Sequence, residues 1–543
     1  MVGACGRAES EPGGESGGTI VIAAHADPDA LFPPHALNME ARQVTELIYE
    51  YLADVGPAMN TIGDSGFTRQ LAADWEWGRD SASLAFRLDP GATWHDGARV
   101  TSADVAFSHG VYSDPATGSM LVGTLAYIDS VSTPDPLTAV FWFSRRDPRQ
   151  FYVAAATMLI LPRHLFGAVG ADSLREAAAA IEPVGSGKYR LARWTRGTSL
   201  ELAAVEDHYR GRAGPDRVIL SITPEYRPAV MRLVAGDADV FANVRQETLP
   251  ELARAGFDLV SLPGMDYVFM QLNLRDAKGR GPHPLFGSRE LRRALTMAMD
   301  RDAMVKNLFD TLASVSIGPA VRAFPTTDTA LRRIPFDPRG AARLLDSLGW
   351  RTAGTGGIRS RGGIPLRFRL IVPVSSLSRM RIAVLIQDQL RRVGADVVIE
   401  QMDYSAFSAR QAARDFDAAL ASWHLGSSPE AVRVTWTSAA AKPGGLNYGG
   451  YSNAAFDALV DSALAERTPE RSREYFRRAN QLIVDDAPAV WLYEPKTLLA
   501  IHGRITTTAM RPNAWWLDIG GWRIDPARRL PRDKIAGRST GDK

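Results

Sequence analysis

From residue 366 to 421 the chain alternates β-type and α-type hydrophobic periods. Leu366 to Val374 is an apolar strand. Ile382, Leu385, Ile386, Gln389, Leu390 and Val393 follow at helical spacing and stop at Gly394. Asp396 to Gln401 reads as a strand, about 405–414 as a helix, and Phe416 to Ala421 as a strand again. Strand, helix, strand, helix, strand predicts a parallel sheet with helices on its faces, because parallel neighbours need a crossover. Helix signals flank this unit. Ser288 caps a stripe of Leu291, Ala294, Leu295, Ala298 and Met299, and Asp337-Pro338 opens a helix that Gly349 stops.

The rest of the chain is divided by texture. Thr19 to Ala24 is a short β-branched strand ending in the turn cluster His25-Ala26-Asp27-Pro28-Asp29. Ala41 to Leu52 predicts a helix with Val44, Leu47, Ile48 and Tyr51 on one face. Between about 56 and 184, Leu84–Leu88 and Ala139–Phe143 alternate like half-exposed strands, an α+β insertion rather than repeated βαβ units. Tyr189–Trp194 and Ser199–Val205 pair across a Gly197 turn. In Asp266 to Asn273, Tyr267, Phe269 and Gln271 face one way, Val268, Met270 and Leu272 the other. Two further helices lie in 450–500, ahead of the apolar strand Val490–Tyr493.

Several chemistries are excluded or unsupported. The one cysteine, Cys5, rules out an intrachain disulfide, a Cys-based zinc site and an iron–sulfur cluster. Lys+Arg is 63 against Asp+Glu 61, so net charge gives no reason to expect nucleic-acid binding. No apolar run reaches the roughly 20 residues of a membrane helix. Gly185-Ser186-Gly187-Lys188 lacks the upstream glycine of a phosphate loop, where Glu182 stands, and has Tyr189 in place of the magnesium-binding Ser or Thr. The nine histidines are scattered, so no metal or cofactor is expected. A secreted hydrolase stays open as an alternative until carboxylate geometry is known.

Ordered motifs then converge. Leu71-Ala72-Ala73-Asp74-Trp75-Glu76, Phe86 to Gly97 and Thr101-Ser102-Ala103-Asp104-Val105 resemble the signature of the peptide/nickel class (family 5) of solute-binding proteins of ABC importers. Pro183 to Leu191, Leu291 to Arg301, Phe336-Asp337-Pro338, Phe416 to Trp423 and Asn447 to Asp457 match the family in the same order, from about Gly18 to Ile505. The resemblance implies an α/β fold of the periplasmic-binding-protein-like type II, with two lobes and an extra α+β subdomain in lobe one. It places a tether at 1–18, lobe one at 19–265 with the insertion at 56–184, lobe two at 266–495, and a return to lobe one with a tail at 496–543. Tyr267–Asn273 and the segment near Tyr493–Thr497 would lie at the crossings.

The resemblance also implies a function without bond chemistry. An extracytoplasmic binding protein captures an oligopeptide or peptide-like solute between its lobes and delivers it to a permease. An oligosaccharide, an opine-like conjugate or a metal chelate are the other solutes it allows. A monomer in the periplasm or on the outer face of the cytoplasmic membrane is expected. By position the ligand residues are His25, Asp27, Asp29, Tyr404, Trp423, His424, Leu425, Gly426 and Ser427, with Trp423 as a flat wall at a strand end. Peptide-binding relatives often carry an acidic residue three positions after the tryptophan, where it pairs with a peptide's ammonium. Here that position is Gly426. Free-amine di- and tripeptides are therefore expected to bind poorly unless Asp27 or Asp29 substitutes, because an unpaired buried charge costs several kcal/mol.

Val2-Gly3-Ala4-Cys5 resembles a bacterial lipobox, and the Gly/Ser/Glu-rich residues after Cys5 behave as a tether. The expectation is a lipid anchor at Cys5 as the chain's only membrane attachment. Expressed in a bacterium behind an apolar signal region, the protein should incorporate labelled fatty acid and fractionate with membranes. Cys5→Ser should abolish both, and labelling that persists in Cys5→Ser would end the lipoprotein reading.

Overall fold

The computed structural model describes residues 17–534 apart from Asp80, Asn243, Ala277, Arg280 and residues 353–356, so Cys5 lies outside the described residues. Its frame is two mixed sheets. The first begins with β1 (Thr19–Ala24), buried along its whole length. β1 pairs in parallel with Arg217–Ile222 and with Val240–Phe241. Ser199–Ala204 and Tyr189–Thr195 extend one side antiparallel. After β1 comes helix α1 (Met39–Ile48), capped by the Asn38 side chain, which accepts from the Ala41 N–H at 2.8 Å.

The chain then reaches two strands in immediate succession, β2 (Phe257–Leu262) in the first sheet and β3 (Asp266–Leu272) in the second. Beside β3 lies β4 (Ala418–His424), antiparallel to it and parallel to Arg367–Pro373, which is itself parallel to Asp396–Met402. On the other side of β3 is β5 (Ala489–Pro495). One residue, Lys496, separates β5 from β6 (Thr497–His502), which is back in the first sheet and pairs with β2.

The first lobe has a core on each face of its sheet, the second has one of its own, and a fourth spans both. Val268, Met270 and Leu272 of β3 belong to the second lobe's helix–sheet core. Tyr267 and Phe269, pointing the other way, belong to a cluster with Trp436 and Trp491 that also takes Val55 and Met59 from the first lobe. The alternation in β3 thus separates two interiors rather than core from solvent. A four-stranded antiparallel sheet (order Ala72–Trp77, Ser83–Leu88, Thr138–Phe143, Ile128–Asp135) forms the insertion. Its Phe86 and Phe141 share one continuous core with Ile20 and Ile22 of β1.

The structure departs from the sequence reading at three places. The second sheet is mixed: the three strands of the 366–421 unit pair in parallel as expected, and β3, β5 and Ala313–Val315 join them through antiparallel pairings. α1 ends at Ile48 rather than Leu52. There the carbonyls of Tyr51 and Leu52 accept from the Leu71 and Ala72 N–H groups, and Gly187 N–H takes the Ile48 carbonyl. A Cβ at Gly185 would overlap that same carbonyl, so the glycine-rich turn is a helix-end packing device. Last, β4 runs on to His424, because Trp423 and His424 pair with Tyr267 and Asp266.

The two crossings touch. Gly264, between β2 and β3, lies flat against the Pro495 carbonyl, which a Cβ would overlap. Gly264→Ala must spread the crossings apart, and should cost about 2–3 kcal/mol of stability, in the range of backbone-level steric conflicts. Denaturant unfolding checks this: an unchanged midpoint would show that the contact is not tight.

Candidate functional site

The loop from β1 to α1 is fixed by its own carboxylates. Asp27 accepts from the Trp194 indole N–H at 3.1 Å and the Gly197 N–H at 2.5 Å. Asp29 accepts from the Leu37 and Asn38 N–H groups at 3.2 and 3.0 Å. With the loop held, α1 directs Met39, Glu40 and Gln43 into a cavity of about 290 Å³ between the lobes. The end of β1 supplies Ala24 and His25 to the same cavity, whose far wall is Met265 of the connector with Asp266 and His424 of the second lobe. His424 Nδ1 and Asp266 Oδ1 are 3.2 Å apart, and the hydrogen bond to that carboxylate raises the imidazole pKa above its ordinary value.

A second cavity, about 470 Å³, opens between the insertion and the loop after β4. Arg149 and Tyr152 come from the insertion, Arg42 and Glu46 from α1, Gly426, Ser427 and Glu430 from the second lobe. Its charges are paired. Arg42 meets Glu46 at 3.3 Å and Arg511 meets Asp54 at 2.6 Å. Arg149 joins Asp147 at 2.8 Å and reaches across the lobes to Glu430. Glu46 also accepts from the Tyr51 hydroxyl at 2.9 Å and the Trp516 indole at 2.8 Å. Asn513 borders both cavities and donates to the Ser427 hydroxyl at 2.6 Å, a second interlobe bond.

Of the residues singled out from the sequence, His25 and His424 meet in the smaller cavity, and Gly426 and Ser427 line the larger. Asp27 and Asp29 are engaged in the loop, and neither lines these two cavities. Leu425 is buried, its N–H donating to the Met265 carbonyl at 2.8 Å. Tyr404 is exposed at the first turn of its helix. Trp423 is half-buried, stacked on Tyr448 at 6.1 Å between ring centres, and lines neither cavity. Sequence reasoning missed Glu40, Gln43, Arg149, Asp266 and Asn513. The face of α1 opposite its apolar stripe was the one available signal, and it reads equally as a solvated face.

Among the described residues no group of three or more His, Cys, Asp or Glu side chains is placed to hold a metal ion. None of their helices is long and apolar enough to cross a membrane.

Residues 66–444 match the model of the bacterial extracellular solute-binding proteins, family 5 Middle. The oligopeptide-binding protein AppA of Bacillus subtilis is 24% identical over 516 residues, covering 93% of this chain and 92% of that protein. The structure of AppA in complex with a nonapeptide superposes with a TM-score of 0.72 at 24% identity, over 94% of this chain and 99% of that one. CtaP from Listeria monocytogenes, an ABC transporter substrate-binding protein, gives a TM-score of 0.80 at 21% identity, over 94% and 100% of the two chains. NikZ from Campylobacter jejuni, in complex with Ni(L-His), gives 0.73 at 20% identity, over 93% and 99%.

The placement of Trp423 has a measurable consequence. Its indole packs on Tyr448 and the shared core, so Trp423→Ala should cost about 1–3 kcal/mol of folding stability. Chemical denaturation reads this directly. Full stability combined with a large loss of ligand affinity would show that the ring serves the ligand instead.

Proposed function

The chain belongs to family 5 of the bacterial extracellular solute-binding proteins, and from that premise we propose that it captures an oligopeptide between its lobes and hands it to an ABC importer. The observation that carries this reading is the pair of interlobe cavities of about 290 and 470 Å³ that share Asn513 as a lining residue. Each is lined by apolar side chains with a few polar groups among them, in the size range of small-ligand sites. An extended peptide fits such a pair better than a compact solute does. The relative AppA, an oligopeptide-binding protein, supports the same reading.

Lobe one comprises 19–265 with the insertion 56–184, lobe two comprises 266–495, and the segment from 496 returns to lobe one ahead of a C-terminal tail. The open form admits the solute, rotation about the two crossings closes the lobes, and the closed form docks on the permease. No bond is made or broken. The three carboxylates on the larger cavity, Glu46, Asp54 and Glu430, are each tied to an arginine, an arrangement suited to charge balance rather than proton transfer. Arg149–Glu430 and Asn513–Ser427 tie the two lobes together and so favour the closed form. A lipid on Cys5 would hold the monomer at the outer face of the cytoplasmic membrane, or in the periplasm, through the tether that follows. Of the sequence-selected ligand residues, His25, His424, Gly426 and Ser427 have the placement this role needs.

Native mass spectrometry of the protein purified from its own cell envelope, followed by denaturation and sequencing of what is released, tests the solute class. Peptides of several residues are expected. Recovery of a sugar or a metal chelate in their place would overturn the peptide reading.

A further inference from the structure

Charge is distributed unevenly along the cleft. On the larger cavity every carboxylate has an arginine partner. On the smaller cavity Glu40 has no hydrogen bond or ion pair among the described residues. One helical step away, at i+3 on the same face of α1, is Gln43. This residue is only 7% exposed and lines the same cavity, and its side chain likewise makes no hydrogen bond among the described residues. An amide enclosed by the fold and open only to a cavity is placed to bond whatever fills that cavity. The opposite wall brings a further carboxylate, Asp266, held by His424.

We propose that Glu40 receives the free amino terminus of a bound peptide, with Gln43 engaging the first peptide group. The proposal rests on the peptide reading above. An ammonium offers three donors and needs a carboxylate when it leaves water. Glu40 provides that partner from lobe one, and Asp266 adds negative potential from lobe two. The first peptide group carries one acceptor and one donor, which complement the amide N–H and carbonyl of Gln43. The peptide then runs past Asn513 into the larger cavity, where the paired charges leave no net preference for an ionised end. This arrangement also accounts for Gly426. A Cβ at that position would meet nothing within 4 Å, so steric crowding does not demand glycine there. The acidic partner that relatives carry in this loop is instead supplied across the cleft by α1.

The test uses a protease digest of casein divided in two, one half N-acetylated, with only lysine-free peptides counted. Each half is offered to the full protein and to Glu40→Gln, and bound peptides are released by denaturation and quantified. The wild-type protein should recover free-amine peptides at least about tenfold over their acetylated forms, the scale of a charge-assisted pair. Glu40→Gln should bring free-amine recovery down toward the acetylated level. Equal recovery of both halves by the wild-type protein, or undiminished discrimination by Glu40→Gln, would overturn the assignment while leaving peptide capture intact. If neither half yields bound peptide, the peptide reading falls, and the assignment with it.

Discussion

Everything in this molecule depends on two crossings that brace each other. β2 and β6 pair in the first sheet, β3 and β5 in the second, both antiparallel. Between them lie only Pro263–Met265 on one strand and Lys496 on the other. The contact of Gly264 with the Pro495 carbonyl leaves no room for slack. Two short, touching connectors permit rotation of the lobes and resist shear. That is the mechanical requirement of a protein that must close on a solute and reopen.

The same region determines where the cleft wall stands. After β6 the chain makes a buried ionic knot. Arg504, fully buried, donates to Asp239 at 2.9 Å and to Asp533 at 2.7 Å, and also to the Thr19 carbonyl at 2.8 Å. Burying three charges is expensive, and such a knot serves less as a source of stability than as a specification of geometry; removing one member costs about 3–5 kcal/mol. It ties the C-terminal segment to the start of β1. The intervening residues then pack Trp515, Trp516 and Trp522 into the first lobe's core and present Arg511 and Asn513 to the cleft. A residue more than 480 positions from His25 in sequence thereby shares a cavity with it.

The cleft combines two electrostatic regimes. Around the larger cavity, arginine–carboxylate pairs cancel locally, and one of them crosses between lobes. Around the smaller one, Glu40 and Asp266 face each other from different lobes. Like charges approaching on closure oppose it, whereas a cation between them favours it. With a peptide's amino terminus held there as proposed above, closure and recognition would be the same event.

The sequence by itself determined the elements and their order. Periods of two and of about 3.6, with caps such as Ser288 and Asp337, are local properties, and the structure places strands and helices where they point. The motif series also identified the family, because it records those elements in sequence. Only the tertiary structure decided the rest. α1 stops at Ile48 because residues 51, 52 and 187 make backbone bonds with distant partners. β4 continues through Trp423 because β3 lies alongside it, and the sheet is mixed because β3 and β5 cross from the other lobe. The cavity-lining residues were legible where they sit at the ends of β1 and β4, as with His25 and His424. Glu40, Gln43 and Asn513 were not, since a polar residue on a helix face or in a loop looks the same in sequence whether it meets water or a cleft. What separates the two is the position of the opposite lobe, a relation between surfaces that no local pattern encodes.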